Sequence, residues 1–215
     1  MKKSDFEIEV EDADGKRIVF SFPDYGGEQI NEIVNYRKVN DTWTENIDNS
    51  TAWLLFIRLD EIKPIEDLIN RGLPEEDVLK SRNESAVDLS LSAEAFYIEL
   101  LQMLLYIKNI STLNKVNHLK LTVVLSCWDR IDDATEKSKP SDLLHKRLPL
   151  LKNYIDSTWE RDSISYVGLS STERTLSNEN EDEDFLDKGP ENIGYIIDSK
   201  GIKNQDLTLL IKEVL

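Results

Sequence analysis

Four short polar groups follow apolar runs in this sequence, and they hold most of the residues able to do chemistry. They are Asp24-Tyr-Gly-Gly27-Glu28, Arg58-Leu59-Asp60, Ser126-Cys127-Trp128-Asp129 and Ser170-Ser171-Thr172. Each stands just beyond a segment with strand character. In an open parallel sheet the ligand site lies beyond the carboxyl ends of the strands. A row of carboxylates, hydroxyls and glycines there suits the binding of a polar ligand. Other chemistries are poorly served. Cys127 is the single cysteine and no histidine stands near it in sequence, so a thiolate nucleophile is not expected. His118 and His145 are isolated, which leaves no His/Cys metal set. The acidic cluster from Glu179 to Asp184 reads as a solvated loop, with cation binding a distant second.

The elements that would position these groups can be read from periodicity. Phe6, Ile8 and Val10 alternate with Glu7 and Glu9, Asp14-Gly15 is a turn signal, and Ile18, Phe20 and Phe22 alternate again. Residues 6–22 therefore read as a hairpin of half-buried strands. Residues 28–50 suggest a helix followed by a loop. The run AWLLFI, 52–57, has the continuous apolar character of a strand covered on both faces. Residues 60–90, with Pro64, Gly72 and Pro74, read as a loop-rich excursion. Ser92 can cap a helix whose stripe of Phe96, Tyr97, Leu100, Leu101, Leu104 and Leu105 faces a core. LKLTVVL, 119–125, and SISYVGL, 163–169, are further buried strands. Between them, 141–159 is helical in two pieces, the second opened by Pro149. Residues 195–202 carry another hairpin signal, and Asp206 can cap a closing helix containing Leu207, Leu210, Ile211 and Val214. The alternation from residue 52 onward specifies an α/β fold with a parallel sheet.

Three of the four polar groups stand in an order that resembles the Ras-like GTPase domain of the TRAFAC class. DYGGE after the hairpin looks like the DxxG motif. The resemblance implies that Asp24 holds a magnesium ion through water and that the Gly27 N–H reaches a γ-phosphate. Glu28 takes the position that orients the attacking water. VVLSCWD looks like the [NT]KxD motif, with Asp129 as the guanine-reading carboxylate, Ser126 in place of Asn and Cys127 in place of Lys. YVGLSS looks like the SA[KL] motif, with Ser170 and Ser171 at the base. AWLLFIRLDEI, HKRLPLL, VVLSCWD, YVGLSS and GYIIDSKG…DLTLLI, in that order, are most similar to the bacterial double-GTPase families of conflict and defence systems. The implied fold is a three-layer Ras-like sheet of mostly parallel strands with an antiparallel N-terminal hairpin. The implied cofactors are GTP or GDP with Mg²⁺, conditional on a supplied phosphate loop.

The phosphate-binding loop GxxxxGK[ST] does not occur among residues 1–215. Residues 1–215 are therefore expected to form one GTPase-like domain that is incomplete at its N-terminus, with excursions at about 60–90 and 172–194. In a Ras-like sheet of order 2-3-1-4-5-6 the first strand is central, so its absence separates the hairpin from strand 52–57. An open strand edge leaves backbone groups unpaired. Three arrangements are open: the hairpin pairs directly with 52–57, a second chain donates strand and loop, or a missing N-terminal segment does. The latter two are the expectation, and with them a GTP hydrolase only when the loop is supplied. The alternative is a pseudo-GTPase interaction module that binds no nucleotide.

Charge supports part of this. Lys and Arg number 26 against 42 Asp and Glu, a net charge of −16. That balance argues against nucleic acid or an anionic membrane as partner. The apolar runs are shorter than the ~20 residues that cross a bilayer, and the start of the sequence has no signal-peptide core. A cytoplasmic location is expected.

Overall fold

The computed structural model describes residues 6–11, 15–22, 27–62, 91–131, 138–173, 189 and 193–212. Two strands, β1 (Phe6–Glu11) and β2 (Arg17–Phe22), form the expected antiparallel hairpin, with Phe6 opposite Phe22 and Val10 opposite Ile18. Gly15, at φ +79°, adopts in its turn the left-handed backbone that glycine tolerates.

The main sheet has the order β3-β4-β5-β6-β7. β3 (Ala52–Arg58), β4 (Lys120–Ser126) and β5 (Ile164–Ser170) are mutually parallel, while β6 (Tyr195–Ile197) and β7 (Lys203–Asn204) continue it antiparallel. This is an α/β fold of the Ras-like kind. Among the described residues no helix is long and apolar enough to cross a membrane.

Helices follow the strands. α1 (Gly27–Tyr36) and α2 (Asp41–Asn49) precede β3, and α3 (Ala93–Ile107) precedes β4. α4 (Pro140–Arg147) and α5 (Pro149–Thr158) lie between β4 and β5, and α6 (Leu209–Lys212) ends the described chain. Pro149 opens α5 as expected, and the Ser92 hydroxyl accepts the Ala95 N–H at the start of α3. One core is built from Leu101 and Leu105 of α3, Leu121, Val123 and Leu125 of β4, Leu144 of α4, and Leu151 and Ile155 of α5. A second, smaller core joins Ile33 and Val34 of α1 to Trp43 and Ile47 of α2 and Leu100 of α3.

Three expectations are corrected. Residues 28–50 hold two helices rather than a helix and a loop. Asn40 caps the second by accepting the Trp43 N–H at 2.8 Å, and Trp43 and Ile47, one turn apart, bury its inner face. Its other end is held by Lys108, whose Nζ donates to the carbonyls of Ile47 and Asp48 at 2.9 and 2.6 Å, a cation at the negative end of the helix dipole.

The second correction is β3. It is not covered on both faces: most of its side chains are half-buried and Phe56 is 46% exposed, whereas β4 is buried along its interior. Third, the hairpin is more open than half-buried strands would be, with Ile8, Val19 and Phe22 exposed. Among the described residues β3 pairs with β4 alone and the hairpin strands pair only with each other, so direct pairing of the hairpin with 52–57 is not formed there. The expected excursions fall mainly on 63–90 and 174–192, which lie almost wholly outside the described residues, as does Val214 of the closing helix.

Candidate functional site

The carboxyl ends of β3, β4 and β5 bring Arg58, Ser126 and Ser170 to one edge of the sheet. The register sets Arg58 opposite Ser126 and Ser126 opposite Leu169. Beyond β4 the chain turns sharply. Cys127 takes a left-handed conformation at φ 54°, and a single 3-10 turn, Trp128–Arg130, follows. This turn carries Asp129 back over the end of β5.

There Asp129 meets Ser170. The Ser170 hydroxyl donates to Asp129 Oδ1 and accepts the Glu173 N–H at 3.0 Å. Ser170 is fully buried, so its oxygen would be costly to leave unpaired. The result is a carboxylate fixed through one oxygen. Its Oδ2 has no protein donor among the described residues. A carboxylate presented this way fits a ligand edge that offers N–H donors, which is the chemistry expected of a guanine-reading group. Ser171 follows, exposed, with its carbonyl and that of Ser170 against Gly194. Gly194 stands at φ +112°, and a Cβ there would meet those carbonyls at 2.9 and 3.0 Å. The Ser126 hydroxyl turns back to the Ile57 carbonyl at 3.4 Å.

Trp128 is a packing residue. Its indole is buried and lies on Gly168 of β5, so closely that a Cβ at Gly168 would sit 2.7 Å from Cδ2. Nothing larger than glycine lets the Ser126–Asp129 turn settle on the sheet.

Two charged groups flank the Asp129–Ser170 pair. On the β6–β7 side, Lys203 Nζ is 3.2 Å from Glu173 Oε1 and 3.9 Å from the centre of the Tyr195 ring. Burial, together with the Asp129 and Glu173 carboxylates, raises the Tyr195 phenol above its ordinary range. On the β3 side, Asp60 is gripped by Arg58 at 3.0 Å and approached by Arg130 at 3.5 Å. The hydrogen bond from Arg58 leads in holding the Asp60 carboxyl below the usual carboxylate value.

The remaining expected residues are placed less fully. Gly27 and Glu28 are the first two residues of α1. Asp24, the expected magnesium ligand, lies outside the described residues. Among the described residues no group of three or more His, Cys, Asp or Glu could hold a metal ion. Sequence reasoning missed Glu173, Tyr195 and Lys203, which come together only when β6 and β7 fold back beside β5. Arg58 and Asp60 were visible as a strand-end group but had no motif to give them a role.

The sequence model of the Double-GTPase 1 family matches residues 1–214. The chain therefore belongs to that family, and its GTPase-like, guanine-nucleotide character follows. Neither the curated proteins nor the solved structures provide a match.

Proposed function

We propose that this double-GTPase family chain binds a guanine nucleotide at the ends of β4 and β5, and hydrolyses GTP only when a first strand and phosphate loop reach it from an N-terminal segment or a protein partner. The observation that carries this reading is the Glu173–Ser170–Asp129 chain of hydrogen bonds, which fixes one carboxylate for an N–H-bearing base edge. In this reading Asp129 reads the base, and Ser126, Ser170 and Ser171 shape its pocket. Asp24 organises Mg²⁺, the Gly27 N–H meets the γ-phosphate, and Glu28 orients water. The nucleotide brings its own phosphoanhydride and the metal ion. The chain's part is to select the base and to place the charges around it.

The open edge of β3 supports the second half of the proposal. A strand with the composition AWLLFI, exposed at Phe56 and unpaired on one side among the described residues, suits a further parallel neighbour. The biological setting proposed is a bacterial conflict or defence system in the cytoplasm.

The test is a titration of the purified chain with a fluorescent GTP analogue and Mg²⁺, repeated with Asp129→Ala and with a co-expressed segment carrying GKS or GKT. Base-dependent binding abolished by Asp129→Ala, and strengthened by the added segment, is the expected result. Charge-assisted hydrogen bonds contribute about 1.5–3 kcal/mol, so Asp129→Ala should weaken binding at least about tenfold. Binding that ignores both changes would sink the proposal in favour of an interaction module with no nucleotide.

A further inference from the structure

Arg58 ends β3, and all three of its guanidinium nitrogens face carboxylates. Nε and Nη2 point to Asp60 at 3.4 and 3.0 Å, and Nη1 pairs with Glu61 at 2.7 Å. An arginine that binds phosphate offers the edge of its planar fork; here that edge is already engaged. The side chain is nevertheless 43% exposed. What it has left to offer a ligand is the flat face of the guanidinium, and arginine stacks by that face on planar π-systems, nucleobases among them.

The place is also specific. The β3–β4 register sets Arg58 opposite Ser126, three residues before Asp129. Arg130, next to Asp129, reaches the same Asp60 oxygen that Arg58 holds. Asp60, its side chain only 6% exposed, thus ties the end of β3 to the Asp129 turn through two partly exposed arginines. The Cys127 position supplies no cation to this corner, and the register places Arg58 beside Ser126, the residue before Cys127.

We propose that Arg58, locked edge-on by Asp60, is a stacking platform for the purine base whose N–H edge Asp129 reads. This inference rests on the guanine-nucleotide reading and adds to it a residue that gives affinity for the base. Asp60 is a positioning residue, acting through Arg58.

The experiment uses the full chain and ligand-detected NMR titrations with GMP and GDP. The variants are Arg58→Ala, Arg58→Lys, Asp60→Asn and Asp129→Ala, each checked for folding by urea titration. Stacking predicts that Arg58→Ala weakens GMP and GDP by the same factor, about fivefold to 150-fold for one lost base stack. Arg58→Lys keeps the charge and loses the plane, so it should fall with the alanine variant. Asp60→Asn should fall part of the way. Full affinity in Arg58→Lys, or a loss that grows from GMP to GDP, would mean a charge contact with phosphate and overturn the stacking. An unaffected Arg58→Ala beside a weakened Asp129→Ala would overturn this inference alone. An unaffected Asp129→Ala would remove the guanine reading, and the inference with it.

Discussion

Gly168→Ala probes how the turn that carries Asp129 is seated. Gly168 lies within β5, paired to Leu125 on one side and Ile197 on the other. A glycine in a strand interior weakens it by roughly 0.5–1 kcal/mol relative to alanine, so it needs a reason to be there. Trp128 is the reason. The added methyl would sit 2.7 and 2.9 Å from Cδ2 and Cζ3 of the indole, against the ~3.5–4.0 Å of an ordinary carbon contact. Either the ring or the β5 backbone must yield. Overpacking of this kind costs about 1–3 kcal/mol. Trp128→Ala removes every indole atom that the methyl would meet at these distances. Gly168→Ala should then gain about 0.4–1 kcal/mol by restricting the unfolded chain. The double-mutant cycle therefore predicts a coupling of roughly 1.5–4 kcal/mol. It is read from urea unfolding of the four proteins, followed by far-ultraviolet circular dichroism. An equal effect of Gly168→Ala in both backgrounds would refute the reasoning. The functional corollary is that Gly168→Ala displaces Asp129, since Asp129 is carried by the turn that Trp128 seats.

Two further predictions concern the frame around the site. Glu94 is buried at the start of α3 and accepts the Leu150 N–H at 2.7 Å in the first turn of α5; Glu94→Ala strands that donor and should cost about 1–3 kcal/mol by urea titration, while Glu94→Gln, which still offers an oxygen, should recover most of it. Tyr166 is buried and donates to Asp156 at 2.9 Å, and burial first, then this carboxylate, raises its phenol above the ordinary value. Its folded pKa exceeds the unfolded one, so its contribution is complete below about pH 10 and declines as pH rises beyond that; stability measured across pH 9–11 should fall on the alkaline side, and Tyr166→Phe should flatten this part of the profile.

The sequence displayed its architecture wherever one residue pattern allowed one structure. The stripe from Phe96 to Leu105 reads as a core helix, and Pro149 can open one. Asp129 and Ser170 stood out because strand-end positions are special in parallel sheets, and the fold brings the two into one hydrogen bond. Local patterns failed where tertiary contacts decide. The second part of residues 28–50 read as a loop, yet Asn40 is a cap and the helix is held by Trp43, Ile47 and a lysine sixty residues away. The flanking charges were hidden for the same reason. Lys203 meets Glu173 only because β7 folds back beside β6, and Arg130 meets Asp60 only because β3 and β4 end together.

The exposed surfaces bear on the proposed addition of a first strand. A strand is expected to be buried in proportion to its apolar content, and β4 obeys this. β3 does not: its composition matches that of a strand with neighbours on both edges, while Phe56 remains nearly half exposed. The hairpin shows the same mismatch, since an isolated two-stranded hairpin is marginal in water and this one leaves Ile8, Val19 and Phe22 exposed. One addition would bring both segments into a single sheet. A single parallel strand inserted between β2 and β3 would pair an edge of each and bring the hairpin into the main sheet. Its carboxyl end would then emerge between Arg58 on one side and the Gly27–Glu28 start of α1 on the other. That is the position from which a phosphate-binding loop could meet a nucleotide whose base lies at Asp129. In the proposed function the added strand sets the phosphate loop beside the base site, and the loop then strengthens nucleotide binding. A segment that lacks the phosphate loop but supplies the strand should bury β3 and the hairpin without strengthening nucleotide binding, which separates the structural step from the chemical one.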